Sequence, residues 1–135
     1  MARQWRIEYS GALYHVLSRG NGRQDTFLTD DDRVQFLDLL KEFSDRFGIE
    51  VYAYVLMGNH YHLLLKTPDA NLSKGMQWFG TTYTRMFNLL NKRSGHLFQG
   101  RFKSIIIENE TYLLRLSCYI HNNPVKMSKE RRMQP

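Results

Sequence analysis

Two strand-like runs separated by only three residues place the tightest limit on how this chain can fold. The runs cover residues 49–56 and 60–67, and the connection between them is Met57-Gly58-Asn59. A connection of this length suits a β-hairpin, and Pro68 closes the pair. The sequence therefore predicts an antiparallel pair of strands in the middle of the chain.

A helical pattern lies on each side of this hairpin. Thr29 can cap the first helix, three aspartates follow it at the positive helix end, and Gly48 ends the pattern. Asn71 can cap the second helix, which is indicated between residues 72 and 92. The apolar positions at helical spacing are Val34, Leu37, Leu40, Phe43 and Phe47, then Leu72, Met76, Phe79, Tyr83, Met86 and Leu90. We interpret the aromatic residues of the second helix as core.

Further elements flank the two helices. Residues 12–18 read as a first strand, and residues 102–108 include the Ile105–Ile107 run, which is typical of a buried strand. A last helix is indicated from about residue 110 to residue 122, and Pro124 stops it. The order β-α-β-β-α-β-α predicts an α+β fold, a ferredoxin-like or RRM-like antiparallel sheet backed by helices. We expect one domain over residues 1–126 and a basic tail over residues 127–135.

Composition limits the classes of function. A net charge of +6 and a pI near 9.6 favour a polyanionic partner, although charge alone leaves nucleic acid at about even odds. Cys118 is the only cysteine, so an intrachain disulfide and a thiolate zinc cluster are both excluded. No long apolar stretch indicates a signal peptide or a membrane span. We expect a cytoplasmic, nucleoid-associated protein that does not bind membranes.

The histidines of the hairpin are the first candidates for chemistry. His60 and His62 must project from one side of their strand, and Tyr61 from the other. Two neutral imidazoles placed in this way can chelate a divalent cation, with a third ligand from elsewhere in the chain. A His-x-His pair by itself is more often a pair of hydrogen-bonded surface histidines.

The last helix supplies two more candidates. Tyr119 and Asn123 are four residues apart, so they share a helix face, and one could attack a substrate while the other binds metal. A phenol ionises near pH ~10, so the nucleophile would need a cation or a neighbouring group that favours the phenolate. Taken without the histidines, the pair reads as a core tyrosine and a helix-terminating asparagine.

Four short motifs carry a resemblance to a known family. They occur in the same order over residues 8–126, and together they are far more specific than any one of them. The motifs are Gly11-Ala12-Leu13-Tyr14-His15-Val16 with Arg19-Gly20-Asn21, then Met57-Gly58-Asn59-His60-Tyr61-His62, then Phe98-Gln99-Gly100-Arg101-Phe102, and last Tyr119-Ile120-His121-Asn122-Asn123-Pro124. The chain resembles the REP-associated tyrosine transposases of the HUH single-strand transposase superfamily.

The resemblance implies a role for each candidate. His60 and His62 match the paired histidines, Asn123 matches the third metal ligand, and Tyr119 matches the nucleophile. In such enzymes Mg²⁺ or Mn²⁺ polarises a phosphodiester of single-stranded DNA, and the tyrosine forms a 5′-phosphotyrosine while a 3′-hydroxyl leaves. The reverse step joins strands, so the resemblance implies a DNA endonuclease and strand transferase. His15 is not assigned to the metal, because a structural role fits it at least as well.

The partner is expected to be single-stranded DNA beside a hairpin. The candidate phosphate contacts on loops or strand ends are Arg19, Arg23, Arg101 and Lys103. Both a homodimer and a monomer stay open. Two alternatives also stay open: a noncatalytic RRM-like nucleic-acid-binding module, and a metal-dependent phosphodiesterase that uses activated water.

Overall fold

A computed structural model describes residues 8–108 of the chain. Its elements are β1 (Ala12–Arg19), a 3₁₀ turn (Asn21–Arg23), α1 (Asp30–Phe47), β2 (Glu50–Leu56), β3 (His60–Thr67), α2 (Leu72–Leu90) and β4 (Lys103–Ile106). The strands lie in the order β2-β3-β1-β4, and every neighbouring pair is antiparallel. This architecture confirms the predicted α+β, ferredoxin-like fold. The predicted last helix and the basic tail lie outside the described residues.

The N-terminus of α1 is fixed by a capping box. The Thr29 side chain accepts a hydrogen bond from the Asp32 backbone N–H, and the Asp32 carboxylate accepts one from the Thr29 backbone N–H at 3.1 Å. The same buried carboxylate accepts a hydrogen bond from Asn91 Nδ2 at 2.9 Å, just beyond the end of α2. Asp32 therefore joins the start of one helix to the end of the other.

Aromatic rings fill the layer between the helices and the sheet. The Phe36 ring of α1 is fully buried, and its centroid lies 4.9–5.2 Å from the centroids of four other rings, those of Phe27, Tyr61, Phe79 and Tyr83. The Tyr83 hydroxyl donates a hydrogen bond to the Thr26 carbonyl at 2.7 Å. The prediction that the aromatic residues of α2 belong to the core is confirmed for Phe79 and Tyr83.

Four details of the sequence interpretation were wrong. Val34 is 43% exposed and Leu90 is 42% exposed, because the first lies away from the buried face of α1 and the second lies at the C-terminal end of α2. Asn71 makes no capping bond with its side chain, and its Nδ2 atom donates instead to the carbonyl of Phe47 at the end of α1. Ile105 is 44% exposed, because β4 is a four-residue edge strand and not a buried one.

The second face of the sheet is built from the alternate residues of the same strands. Residues that face each other across an antiparallel pair lie on the same side of the sheet, and Val55 pairs with His62 while Ala53 pairs with Leu64. Val55 and Leu64 form a small buried cluster there, separate from the main core. This second face carries the candidate site.

Candidate active site

His60 and His62 lie on the second face of the sheet, as the alternation along β3 predicts. Their ring centroids are 5.2 Å apart, and the ring planes are inclined at 81°. Across the strand pair, Arg19 lies opposite His60 and Leu17 lies opposite His62. Tyr61 points into the core, where it is 1% exposed. The hairpin therefore presents two imidazoles together and keeps the intervening phenol away from them.

A third histidine joins this pair from the neighbouring strand. His15 lies opposite Leu64, so it is the diagonal neighbour of His62 on the same face. Its Nε2 atom is 2.8 Å from His62 Nδ1, and the two rings stack with centroids 5.0 Å apart. His60 also has a partner at its Nδ1 atom, the Asn59 side-chain oxygen at 2.8 Å.

The surroundings of the three rings keep them neutral. Burial, and after it the neighbouring His15, His60 and Arg19 in that order of importance, together lower the pKa of His62 to about 4. Burial, followed by the charge of Arg19, lowers the pKa of His60, and burial lowers the pKa of His15. A neutral imidazole keeps a lone pair on one ring nitrogen, which is the form that binds a cation.

Two of the four predicted DNA contacts lie on the histidine face. Arg19 is exposed at the end of β1, and Lys103 at the start of β4 pairs with Leu17. Arg23 is exposed in the 3₁₀ turn, with a φ of 62°. Arg101 lies on the helix side of the sheet, where it lines a groove of about 600 Å³ between α2 and residues 95–102. The fold therefore divides the predicted cations between two surfaces.

The donor set fits a divalent cation in part. Within residues 8–108, no cluster of three or more His, Cys, Asp or Glu side chains is arranged to hold a metal ion. The two imidazoles of β3 are neutral, close and on one face, so they could supply two ligands. Tyr119 and Asn123, the predicted nucleophile and third ligand, lie outside the described residues.

The sequence interpretation did not assign two side chains of this site. Asn59 was noticed only as part of a motif, and His15 was left between a structural and a catalytic role. The alternation of side chains along β1 determines which residues share a face with His15. Only the pairing of β1 with β3 brings His15 next to His62.

The fold and the site together define an α+β protein with a neutral histidine pair and cationic side chains on one face of its sheet. The chain belongs to the family described as "Transposase IS200 like", whose model matches residues 8–123. Membership in this family implies a DNA-processing enzyme, and the transposases of the family depend on a metal ion.

The chain is also similar to individual proteins, and its similarity to two solved structures concerns the fold. A protein of Haemophilus influenzae, named as a REP-associated tyrosine transposase, is 27% identical over 127 residues, which cover 86% of this chain and 72% of the relative. A solved REP-associated tyrosine transposase bound to a REP hairpin matches with a TM-score of 0.77 at 20% identity, covering 94% of this chain and 74% of that one. A transposase structure from Deinococcus radiodurans R1 matches with a TM-score of 0.61 at 18% identity, covering 90% of this chain and 97% of that one.

No helix among residues 8–108 is long and apolar enough to cross a membrane.

Proposed function

We propose that this protein cleaves and rejoins single-stranded DNA through a covalent bond between Tyr119 and a DNA phosphate. The observation that carries the proposal is the neutral His60–His62 pair beside Arg19, in a chain of the IS200-like transposase family. A paired-histidine surface with adjacent cations suits a substrate that is a phosphodiester.

Three side chains would hold a divalent cation, Mg²⁺ or Mn²⁺. His60 and His62 would supply two nitrogens, and Asn123 would supply an oxygen. When bound, the cation withdraws charge from a phosphodiester oxygen and makes phosphorus easier to attack. A Tyr119 phenolate near this charge would also be more stable than in water.

The covalent step balances without a nucleotide cofactor. The Tyr119 hydroxyl loses its proton to solvent, and its oxygen forms a bond to phosphorus. The bond between phosphorus and the 3′-oxygen breaks, and that oxygen takes up a proton to become a 3′-hydroxyl. The product is a 5′-phosphotyrosine, and attack of another 3′-hydroxyl on it joins two strands and releases Tyr119.

Arg19 and Lys103 would hold the DNA backbone beside the histidine pair. Both are exposed on the histidine face, and each can neutralise one phosphate. A solved relative is bound to a REP hairpin, so we infer that the substrate combines a hairpin with an unpaired flank. We leave both a monomer and a homodimer open as the active form.

The noncatalytic alternative has less support. An RRM-like module stacks bases on aromatic residues of its central strands. On the histidine face, β1 contributes Leu13, His15, Leu17 and Arg19, and β3 contributes His60, His62, Leu64 and Lys66. None of these is a phenylalanine, tyrosine or tryptophan. The third reading, a phosphodiesterase that uses activated water, differs by leaving no link between protein and DNA.

The decisive experiment is the capture of the covalent adduct. The purified chain is incubated with Mn²⁺ and a labelled pool of hairpin oligonucleotides with randomised single-stranded flanks, and the products are separated under denaturing conditions. We expect a labelled protein band, lost in Tyr119→Phe and in the presence of EDTA. Tyr52→Phe is the matched control, since Tyr52 is 55% exposed on β2 and its hydroxyl donates a hydrogen bond to the neighbouring Glu50 at 2.8 Å.

Two results would contradict the proposal. A Tyr119→Phe protein that still forms the adduct would show that the nucleophile is a different residue. Cleaved DNA without any attached protein would favour the phosphodiesterase.

A further inference from the structure

His60 and His62 share a feature that the metal site alone does not explain. In each ring the Nδ1 atom has a polar partner at 2.8 Å: the Asn59 Oδ1 atom for His60, and the His15 Nε2 atom for His62. The partners come from different places, one from the hairpin connection and one from β1. Both nonetheless engage the same nitrogen of their histidine.

The Asn59 contact fixes the tautomer of His60. An amide oxygen can only accept a hydrogen bond, so His60 must carry its proton on Nδ1 and donate it to Asn59. In the neutral ring the lone pair then resides on Nε2. A cation that binds this histidine would therefore be bound through Nε2.

The His15 contact permits either direction of donation. If His15 donated, His62 would carry its proton on Nε2 and could not use that atom for a cation. If His62 donates from Nδ1, its lone pair is on Nε2, as in His60. Only the second arrangement gives two histidines that offer the same nitrogen from one face of the strand.

We propose that Asn59 and His15 are positioning residues that hold His60 and His62 in the Nδ1–H tautomer, so that both bind the divalent cation through Nε2. This inference rests on the proposed metal site, but it assigns no metal contact to His15. His15 is 9% exposed and stacked on His62, so its ring is held in place by packing as well as by the hydrogen bond. Partners of this kind orient metal-binding histidines, and their removal weakens metal binding about 10- to 100-fold.

The test measures Mn²⁺ binding by the full chain without DNA, using electron paramagnetic resonance titration. His15→Ala and Asn59→Ala are each expected to weaken Mn²⁺ binding about 10- to 100-fold. His15→Gln and Asn59→Asp keep an acceptor oxygen near the original position, so both should recover most of the affinity. Lys66→Ala is the matched control, because Lys66 lies on the same strand and face as His62 and pairs with Leu13.

A spectroscopic measurement separates positioning from direct binding. Electron spin echo modulation of the bound Mn²⁺ counts the imidazole nitrogens attached to it, and we expect two in the wild type and two in His15→Gln. Three nitrogens in the wild type, falling to two in His15→Gln, would make His15 a metal ligand and overturn the proposal. Unchanged Mn²⁺ affinity in His15→Ala would also overturn it.

The outcome is independent of strand transfer. A wild type that binds Mn²⁺ with the expected pattern but forms no DNA adduct would support the positioning roles and contradict the proposed function. If the wild type forms the Tyr119 adduct while His15→Ala and Asn59→Ala bind Mn²⁺ normally, the proposed function is supported and the positioning roles are contradicted. A wild type that binds no Mn²⁺ at all would overturn both.

Discussion

The same strands contribute core residues to one face of the sheet and candidate site residues to the other. On the helix side, β3 contributes Tyr61, Leu63 and Leu65, all within a closely packed core at 0–1% exposure. On the other side, the alternate residues His60 and His62 are only partly buried and have polar partners. Alternate residues of β3 thus belong to the main core and to the candidate site.

The face of the sheet on which a side chain lies decides its role more than its distance along the strand does. Tyr61 lies between the two histidines in sequence, and burial raises its pKa far above the ordinary value for a phenol. It is therefore unsuited to act as a nucleophile. At neutral pH, a change at a residue of the main core should alter stability, whereas a change at His60 or His62 should alter catalysis.

The largest effect is expected from the histidine pair. His60→Ala or His62→Ala should slow adduct formation on the order of 1,000-fold, because losing about 4 kcal/mol of charge stabilisation slows a reaction by about three powers of ten. Adduct yield against time, measured at saturating DNA, checks this result. The melting temperature should change little, and a variant that instead unfolds would break the division between the two faces.

A comparable effect on stability is expected from the opposite face. Phe36→Ala should lower the free energy of unfolding by about 3–5 kcal/mol, since it empties the centre of the aromatic core. Urea unfolding measures the difference. Phe36→Leu, which fills more of the space, should lose less. Equal losses in the two variants would argue against packing as the cause.

Acid should destabilise the fold through the histidine face. Above pH 6.5, the ordinary pKa, His62 is neutral in both the folded and the unfolded chain, so it contributes no pH dependence. Between pH 6.5 and about 4, the unfolded chain takes up a proton that the folded chain resists, so stability falls as the pH falls. Urea unfolding at pH 7 and pH 4.5 measures the loss of unfolding free energy caused by acid. This loss should be smaller in His62→Gln than in the wild type, and identical losses would show that His62 is not its source.

A smaller effect is expected at the start of α1. Thr29→Ala removes the side-chain acceptor for the Asp32 backbone N–H and should lower the free energy of unfolding by about 1 kcal/mol. Thr29→Ser keeps a hydroxyl and serves as the control in thermal unfolding. Adduct formation at 25 °C should stay at the wild-type rate, because the cap lies on the helix side of the molecule.

The smallest effect is expected from the loss of a single DNA contact, and it tests which face of the sheet binds DNA. Arg19→Ala should weaken binding of hairpin DNA and lower the slope of log affinity against log salt by about 1, because one phosphate contact is lost. Arg101 lines the groove on the helix side. An equal slope change in Arg101→Ala would show that the DNA contacts both surfaces.

Over residues 8–108, the sequence by itself determined the order of the helices and strands. Residue spacing along one chain reports local periodicity, so the capped helix at Thr29, the hairpin at residues 57–59 and the common face of His60 and His62 could all be read directly. Its errors came at places where periodicity was ambiguous or irrelevant. Val34 fits a helical repeat but misses the core, and Ile105 has the composition of a buried strand at a sheet edge.

Only the tertiary structure decided which strands became neighbours. The placement of β1 between β3 and β4 brings His15 within hydrogen-bonding distance of His62, although 47 residues separate them along the chain. A strand's pattern fixes which residues share a face, but register is set by how the buried faces of all the strands pack together. The same packing placed Arg19 beside the histidines and Arg101 behind them.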